Sequence, residues 1–173
     1  MDITQLILDD HHEQRRLFAM LEQIDRDDEA TLEALWGRLA AFLEVHAAAE
    51  EEHFYPALLR IGKGPDGKTG PEDETEDAIH DHNEIRDAVA AVGGHRVGSK
   101  PWFEAIAAAN KANGDHMAEE EREGLTDFRR HAALQLRHDL AVAFATFEAN
   151  HITGVTGADA EDKDPETYIA EHK

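Results

Sequence analysis

One arrangement of residues occurs twice in this chain. Asp10-His11 is followed by His46-Ala-Ala-Ala-Glu50, and Asp81-His82 is followed by His116-Met-Ala-Glu-Glu120. The two histidines are 35 residues apart in the first copy and 34 in the second. A His and a Glu four positions apart share one face of a helix on adjacent turns. The recurrence therefore predicts two copies of one helical hairpin, which together aim four imidazoles and two carboxylates at a common point. Such a set suits a pair of metal ions.

The punctuation of the sequence agrees with helices. Helix-forming residues dominate, and no alternation of period two persists. A first helix opens at Asp2-Ile-Thr-Gln5, a capping pattern, and fades at Asp25–Asp28. A second runs from Thr31 to Ile61 and stops at Gly62. The segment from Gly62 to Pro71, with four glycines and two prolines, breaks the chain. A third helix starts after Pro71 with an acidic first turn that suits its dipole, and ends at Gly93-Gly94. A fourth begins at Ser99-Lys-Pro101 and continues to Arg130, and a fifth covers Ala132 to Ala149. The expected fold is all-α: an up-down-up-down four-helix bundle of two repeated hairpins, with an additional C-terminal helix and tail. Residues 1–150 would form the bundle. Residues 151–173 would form a tail packed on it or extending from it, with a last turn at Asp164-Pro165 and Tyr168 and Ile169 docking.

The second helix indicates which way the repeated residues point. Positions 32, 36, 39, 43, 46, 50, 53 and 57 follow steps of four and three and read Leu, Trp, Leu, Leu, His, Glu, His, Ala. An apolar stripe becomes polar without changing face. The fourth helix does the same, from Ile106 and Ala109 through Asn113 to His116, Glu120 and Glu123. Burying one neutral polar group without a partner costs about 2–7 kcal/mol, and a charge costs more. A cation is the compensation that fits. A bundle without metal would leave two carboxylates facing each other unneutralised.

The candidate ligands are His11, His46, Glu50, His82, His116 and Glu120. Imidazole with carboxylate in a near-octahedral set favours iron or manganese over calcium or structural zinc. His12 competes with His11, but aligning Asp10-His-His-Glu-Gln-Arg15 with Asp81-His-Asn-Glu-Ile-Arg86 pairs His11 with His82 and sets His12 opposite Asn83. His53 and Glu123 stand seven residues after His46 and His116, on the expected metal face. They are candidates for extra ligation, for an outer polar layer, or for moving protons in catalysis. Tyr55 is a further candidate, as ligand or outer polar group, because a phenolate suits ferric iron; it points away from His46 on a straight helix, although Pro56 can disturb the turn before it. Arg15 and Arg86, also matched, are expected to pair with the acidic surface.

These residues resemble the hemerythrin-like, HHE cation-binding domains. The resemblance covers about residues 1 to 130 and rests on the two Asp-His pairs, the two His-x-x-x-Glu pairs, and the stretch Glu51-Glu-His-Phe-Tyr-Pro56. The order H…HxxxE…H…HxxxE is similar to the mycobacterial-type branch, and the acidic tail through Tyr168 fits it. The resemblance implies a non-haem centre of two iron ions, oxo- or hydroxo-bridged. His11 and His46 would serve mainly one iron, His82 and His116 the other, and Glu50 and Glu120 would bridge. The chain departs from the oxygen-carrying hemerythrins, which have a further His-x-x-x-His pair on the third helix. Here Arg86 follows His82 by four residues and cannot ligate a cation.

The resulting expectation is a centre that decomposes hydrogen peroxide, with nitric oxide as a rival substrate. The alternative is a protein that binds oxygen or nitric oxide, or senses iron or oxygen, without turnover. With a net charge of −21, nucleic acid and anionic membranes are unfavourable partners. The absence of cysteine excludes disulfides and thiolate-held clusters. Neither a membrane-spanning apolar run nor a secretion signal is present, so the expected location is the cytoplasm.

Overall fold

The computed structural model describes residues 1–64 and 70–173, so the middle of the Gly62–Pro71 break lies outside the described residues. Among the described residues eight α-helical segments follow one another: α1 (Ile3–Leu21), α2 (Glu29–Ala49), α3 (Tyr55–Ile61), α4 (Pro71–Val92), α5 (Lys100–Arg122), α6 (Gly124–His131), α7 (Leu134–Asn150) and α8 (Pro165–His172). No strand occurs among the described residues. The expected all-α bundle with an extra C-terminal helix is what the chain forms. Helix α1 lies along α2, α4 lies along α5, and α1 also meets α5. Helix α7 covers α1 and α2 from outside, and α8 rests on α3 and α4.

The helix starts follow side-chain chemistry. Asp2 accepts from the backbone N–H of Thr4 at 3.0 Å, Asp28 from Thr31 at 3.2 Å and Asp164 from Thr167 at 2.9 Å. These bonds satisfy amides that the helices cannot. Gln5 does not complete the first cap; its amide donates forward to Asp9 at 3.0 Å. At the end of α3, Gly62 is needed for space, since a Cβ there would lie 2.6 Å from Asp127 Oδ2 and 2.8 Å from the Leu58 carbonyl.

Two helices expected to run unbroken are interrupted. Between α2 and α3 the chain passes through a π-helical segment, Glu50–Phe54. The expected fourth helix breaks at Glu123, where φ is −110° and ψ −79°, and resumes as α6. Pro56, just after the first break, has no N–H to give the turn before it, and Gly124 follows the second. The π segment has a geometric consequence. On a regular helix Tyr55 lies roughly 180° around the axis from His46. One residue accommodated by the wider turn takes back roughly 100°, which turns Tyr55 toward the bundle interior and His53 out of it.

The core is layered. At one end Leu17, Phe18, Leu21, Leu39, Leu43, Trp102 and Ile106 pack together. At the other, Ile3, Ile7, Phe54, Leu58, Ile79, Phe128 and Phe144 form a second apolar cluster. Full burial of each such side chain contributes about 1.5–3 kcal/mol. Between the clusters, every helix of the bundle turns polar at the same level: His11 and Gln14 on α1, His46 on α2, His82 on α4, Asn113, His116 and Glu120 on α5, all buried. The Asn113 amide donates to Gln14 Oε1 at 2.9 Å and closes this layer toward the first cluster.

Candidate metal centre

The structure brings the six repeated residues together. His46 Nε2 lies 2.9 Å from Glu50 Oε1, His82 Nε2 3.2 Å from Glu50 Oε2, and His11 Nε2 3.3 Å from Glu120 Oε2. The Nε2 atoms of His82 and His116 face each other at 3.2 Å. Donor atoms of His11, His46 and Glu50 form one group with the spacing of a cation site, and those of Glu50, His82 and His116 form another. Glu50 belongs to both, one oxygen toward each. His12, the rival of His11, is exposed.

The donor atoms fit a metal. His11 Nε2, His46 Nε2, both Glu50 oxygens and Glu120 Oε2 are buried without a hydrogen-bond partner. Close as His46 and Glu50 are, their orientation makes no hydrogen bond. Buried polar groups are otherwise nearly always satisfied. Nitrogens and carboxylate oxygens converging on one place, with no protein donor to complete them, are what a cation completes.

The opposite ring nitrogens are held. His11 Nδ1 lies 2.9 Å from Glu121 Oε1, and His82 Nδ1 2.8 Å from Glu51 Oε1. His46 Nδ1 is 3.3 Å from Asp10, and His116 Nδ1 3.5 Å from Asp81. Each imidazole thus has a carboxylate behind it, the arrangement that fixes the tautomer and aims Nε2 inward. The carboxylates are themselves matched across the repeat: each Asp precedes a ligand His, and Glu51 and Glu121 each follow a ligand Glu. Arg86 donates to Glu51 at 2.7 Å and Arg15 to Glu121 at 2.8 Å, so the matched arginines support the site instead of the surface. Asp10 and Asp81 belong to the repeated Asp-His pairs of the sequence, and Glu51 and Glu121 recur at a fixed offset that marks them in the same way; the bracing role of all four is seen only in the fold.

Electrostatics follow from this packing. Burial pushes the Glu50 carboxyl up, but His46 and His82 together outweigh it and hold it well below the usual range. Burial pulls His82 down, while the Glu50 and Glu51 carboxylates beside its two ring nitrogens outweigh it and raise the ring to about 9. Burial, countered by His82, Arg86 and Lys163, leaves Glu51 at about 2. Glu121 is held at about 2, first by its bond to His11.

Three further residues had been singled out. Tyr55, turned inward by the π segment, is buried and donates its hydroxyl to Glu120 Oε1 at 2.7 Å. Burial, then the charges of Glu120 and Glu50, push its phenol well above the usual range, so it stays protonated. The structure places His53 elsewhere: its ring meets the edge of Phe147 at 5.9 Å, and its Nε2 is 3.8 Å from Glu52. Glu123 accepts from Arg122 at 2.7 Å and lines a cavity of about 20 Å³ that also touches Tyr55, Glu74, His116 and Glu120. That volume holds about one water-sized molecule. Glu74 is buried in this wall with both oxygens lacking a hydrogen-bond partner, and burial followed by the charge of Glu123 raises it to about 8.

A helical bundle whose middle layer is built from four imidazoles and two inward carboxylates is the architecture of a non-haem metal-binding protein. The hemerythrin HHE cation binding domain profile matches residues 2–128, and the chain belongs to that family. No curated protein and no solved structure matches it. No helix among the described residues is long and apolar enough to cross a membrane.

Proposed function

We propose that the centre holds two iron ions and decomposes hydrogen peroxide. The observation that carries this reading is the set of inward atoms without partners on His11, His46, Glu50 and Glu120, arranged as two groups that share Glu50. His11 and His46 would hold one ion, His82 and His116 the other, with Glu50 between them and Glu120 beside His11. Bound iron would supply Lewis acidity and two-electron redox chemistry.

The chain's own residues would do the rest. In the overall reaction one peroxide is reduced to two waters while a second is oxidised to dioxygen, so electrons and protons balance. The small cavity against His116, Glu120 and Tyr55 would be the approach for a small molecule such as peroxide. Tyr55 keeps a proton 2.7 Å from Glu120 and steers that carboxylate. Glu74 and Glu123 line the same cavity, and Glu74, raised to about 8, carries a proton at neutral pH that it can exchange with bound peroxide or water. Oxygen and nitric oxide have the size for the same space. Their binding without turnover is the second reading, favoured by the burial of the centre and the narrowness of the cavity.

The test is metal analysis of the purified protein together with gas evolution from peroxide. The proposal expects two irons per chain, dioxygen release that depends on them, and loss of both in His46→Ala and His116→Ala. Equal activity in the metal-free chain would sink it. Two bound irons with tight, slowly released nitric oxide and no dioxygen evolution would favour the binding reading.

A further inference from the structure

The two halves of the centre are alike in their ligands and unlike in what stands behind them. Glu121, which holds His11, leans on Arg15 and is partly exposed. Glu51, which holds His82, is buried, and beyond Arg86 it receives two groups from the far end of the chain. The Lys163 ammonium pairs with its Oε2, and the Tyr168 hydroxyl donates to its backbone carbonyl. The segment is fastened by a two-way hydrogen bond. Asn83 Nδ2 donates to the Lys163 carbonyl at 2.8 Å, and the Lys163 amide donates to Asn83 Oδ1 at 3.1 Å. Asn83 occupies the place that the exposed His12 has in the first copy, so the repeat departs from symmetry where the tail attaches. The first copy has no such attachment at His12, and the tail lies beyond the residues that the family profile covers.

We infer that the C-terminal segment from Lys163 to Tyr168 is a positioning element of the metal centre, acting through Glu51 on His82 and making the two metal positions unequal. The physical route is short. A carboxylate that orients a ligand imidazole contributes to affinity only while it is itself held, and removing such an outer partner lowers metal affinity about 10–100-fold. Arg86 donates to both oxygens of Glu51, Lys163 adds a second cation at Oε2, and Tyr168 fixes the backbone that carries it. With Lys163 gone, Glu51 keeps one anchor and His82 loses part of its constraint. Nothing equivalent is lost at His11. The segment therefore acts first on the position of His82 and reaches the other only through the shared Glu50.

This inference rests on the reading that two ions are bound, and the experiment separates the two. Fe2+ is titrated anaerobically, against a competing chelator, into the full chain stripped of metal and into Lys163→Met, Lys163→Arg and Tyr168→Phe. The parent takes up two equivalents. In Lys163→Met one of them weakens about tenfold, while the other, which meets that position only through the shared Glu50, weakens by a clearly smaller factor. Lys163→Arg retains both, because its guanidinium also spans to Glu51. Tyr168→Phe, which loosens the segment without removing a charge, weakens the same equivalent. Binding in Lys163→Met and Tyr168→Phe identical to the parent overturns the inference, as does equal weakening of both equivalents. A parent that takes up no pair of ions overturns the two-ion reading and this inference with it.

Discussion

Tyr55 and Glu120, 65 positions apart in sequence, meet in a buried hydrogen bond of 2.7 Å beside the candidate ligands. The bond ties one oxygen of Glu120 to the protein and leaves the other toward His11, whereas both oxygens of Glu50 remain without partners. The two ligand glutamates, equivalent in sequence, are thus unequal in the fold. Replacing Tyr55 by Phe strands Glu120 Oε1 in the metal-free chain, and a buried acceptor left unpaired costs about 1–3 kcal/mol. Urea unfolding should show that loss in chelator and a smaller one with iron, which supplies a new partner. An equal loss in both conditions would place the effect in packing alone.

Metal should stabilise the fold. A ligand present at a hundred times its dissociation constant adds about 2.7 kcal/mol when it binds only the native state. Thermal unfolding with and without Fe2+ should show the increase in the parent, and His46→Ala should abolish it.

The outer glutamates should differ sharply. Glu51→Gln leaves Arg86, 8% exposed, with its charge uncompensated, and breaking a buried pair costs about 3–5 kcal/mol. Glu121→Gln loses a pair with Arg15, 40% exposed, worth about 0–1 kcal/mol, while its remaining side-chain oxygen can still accept from His11, so it should cost less. Denaturation of the two metal-free variants compares them directly; equal losses would mean that burial does not set the difference.

Glu74 predicts a pH dependence. Its carboxyl is raised from the ordinary 4.5 to about 8, so between those values the folded chain binds more protons than the unfolded one. Its contribution is fully present below pH 4.5 and is lost as pH rises through 8. Glu148, also raised to about 8, acts in the same direction, whereas Glu51 and Glu121, at about 2, add stability that is lost as pH falls from 4.5 toward 2. In chelator, Glu74→Gln should gain stability over the parent at pH 8 and little at pH 5. An unchanged difference between those two pH values would show that Glu74 is not the group responsible.

Much of this site was legible because its residues recur. His11, His46, Glu50, His82, His116 and Glu120 carry a spacing that only a repeated hairpin explains, and local periodicity decides which face they share. Tyr55 was not legible. Its direction depends on the wider turn at Glu50–Phe54; Pro56 signals a disturbed turn there, but its form and the rotation it gives are set by tertiary packing. The same turn carries His53 to Phe147. The break at Glu123 was hidden for a similar reason, since the pattern of apolar residues runs through it. Lys163 was beyond reach because its contact with Glu51 spans 112 positions, with nothing in the intervening sequence to fix where the tail returns.

The carboxylates behind the imidazoles cross between the hairpins in one case and stay within them in the other. Asp10 serves His46 and Asp81 serves His116, each inside its own hairpin, whereas Glu51 reaches His82 and Glu121 reaches His11, each in the opposite one. A lone hairpin would therefore have one imidazole braced and one loose. Only a couple of hairpins, joined in one chain or associated as two, completes the bracing. A hairpin on its own would have to self-associate to hold a cation well, and two copies in one chain are free to differ, as they do at Asn83 and His12.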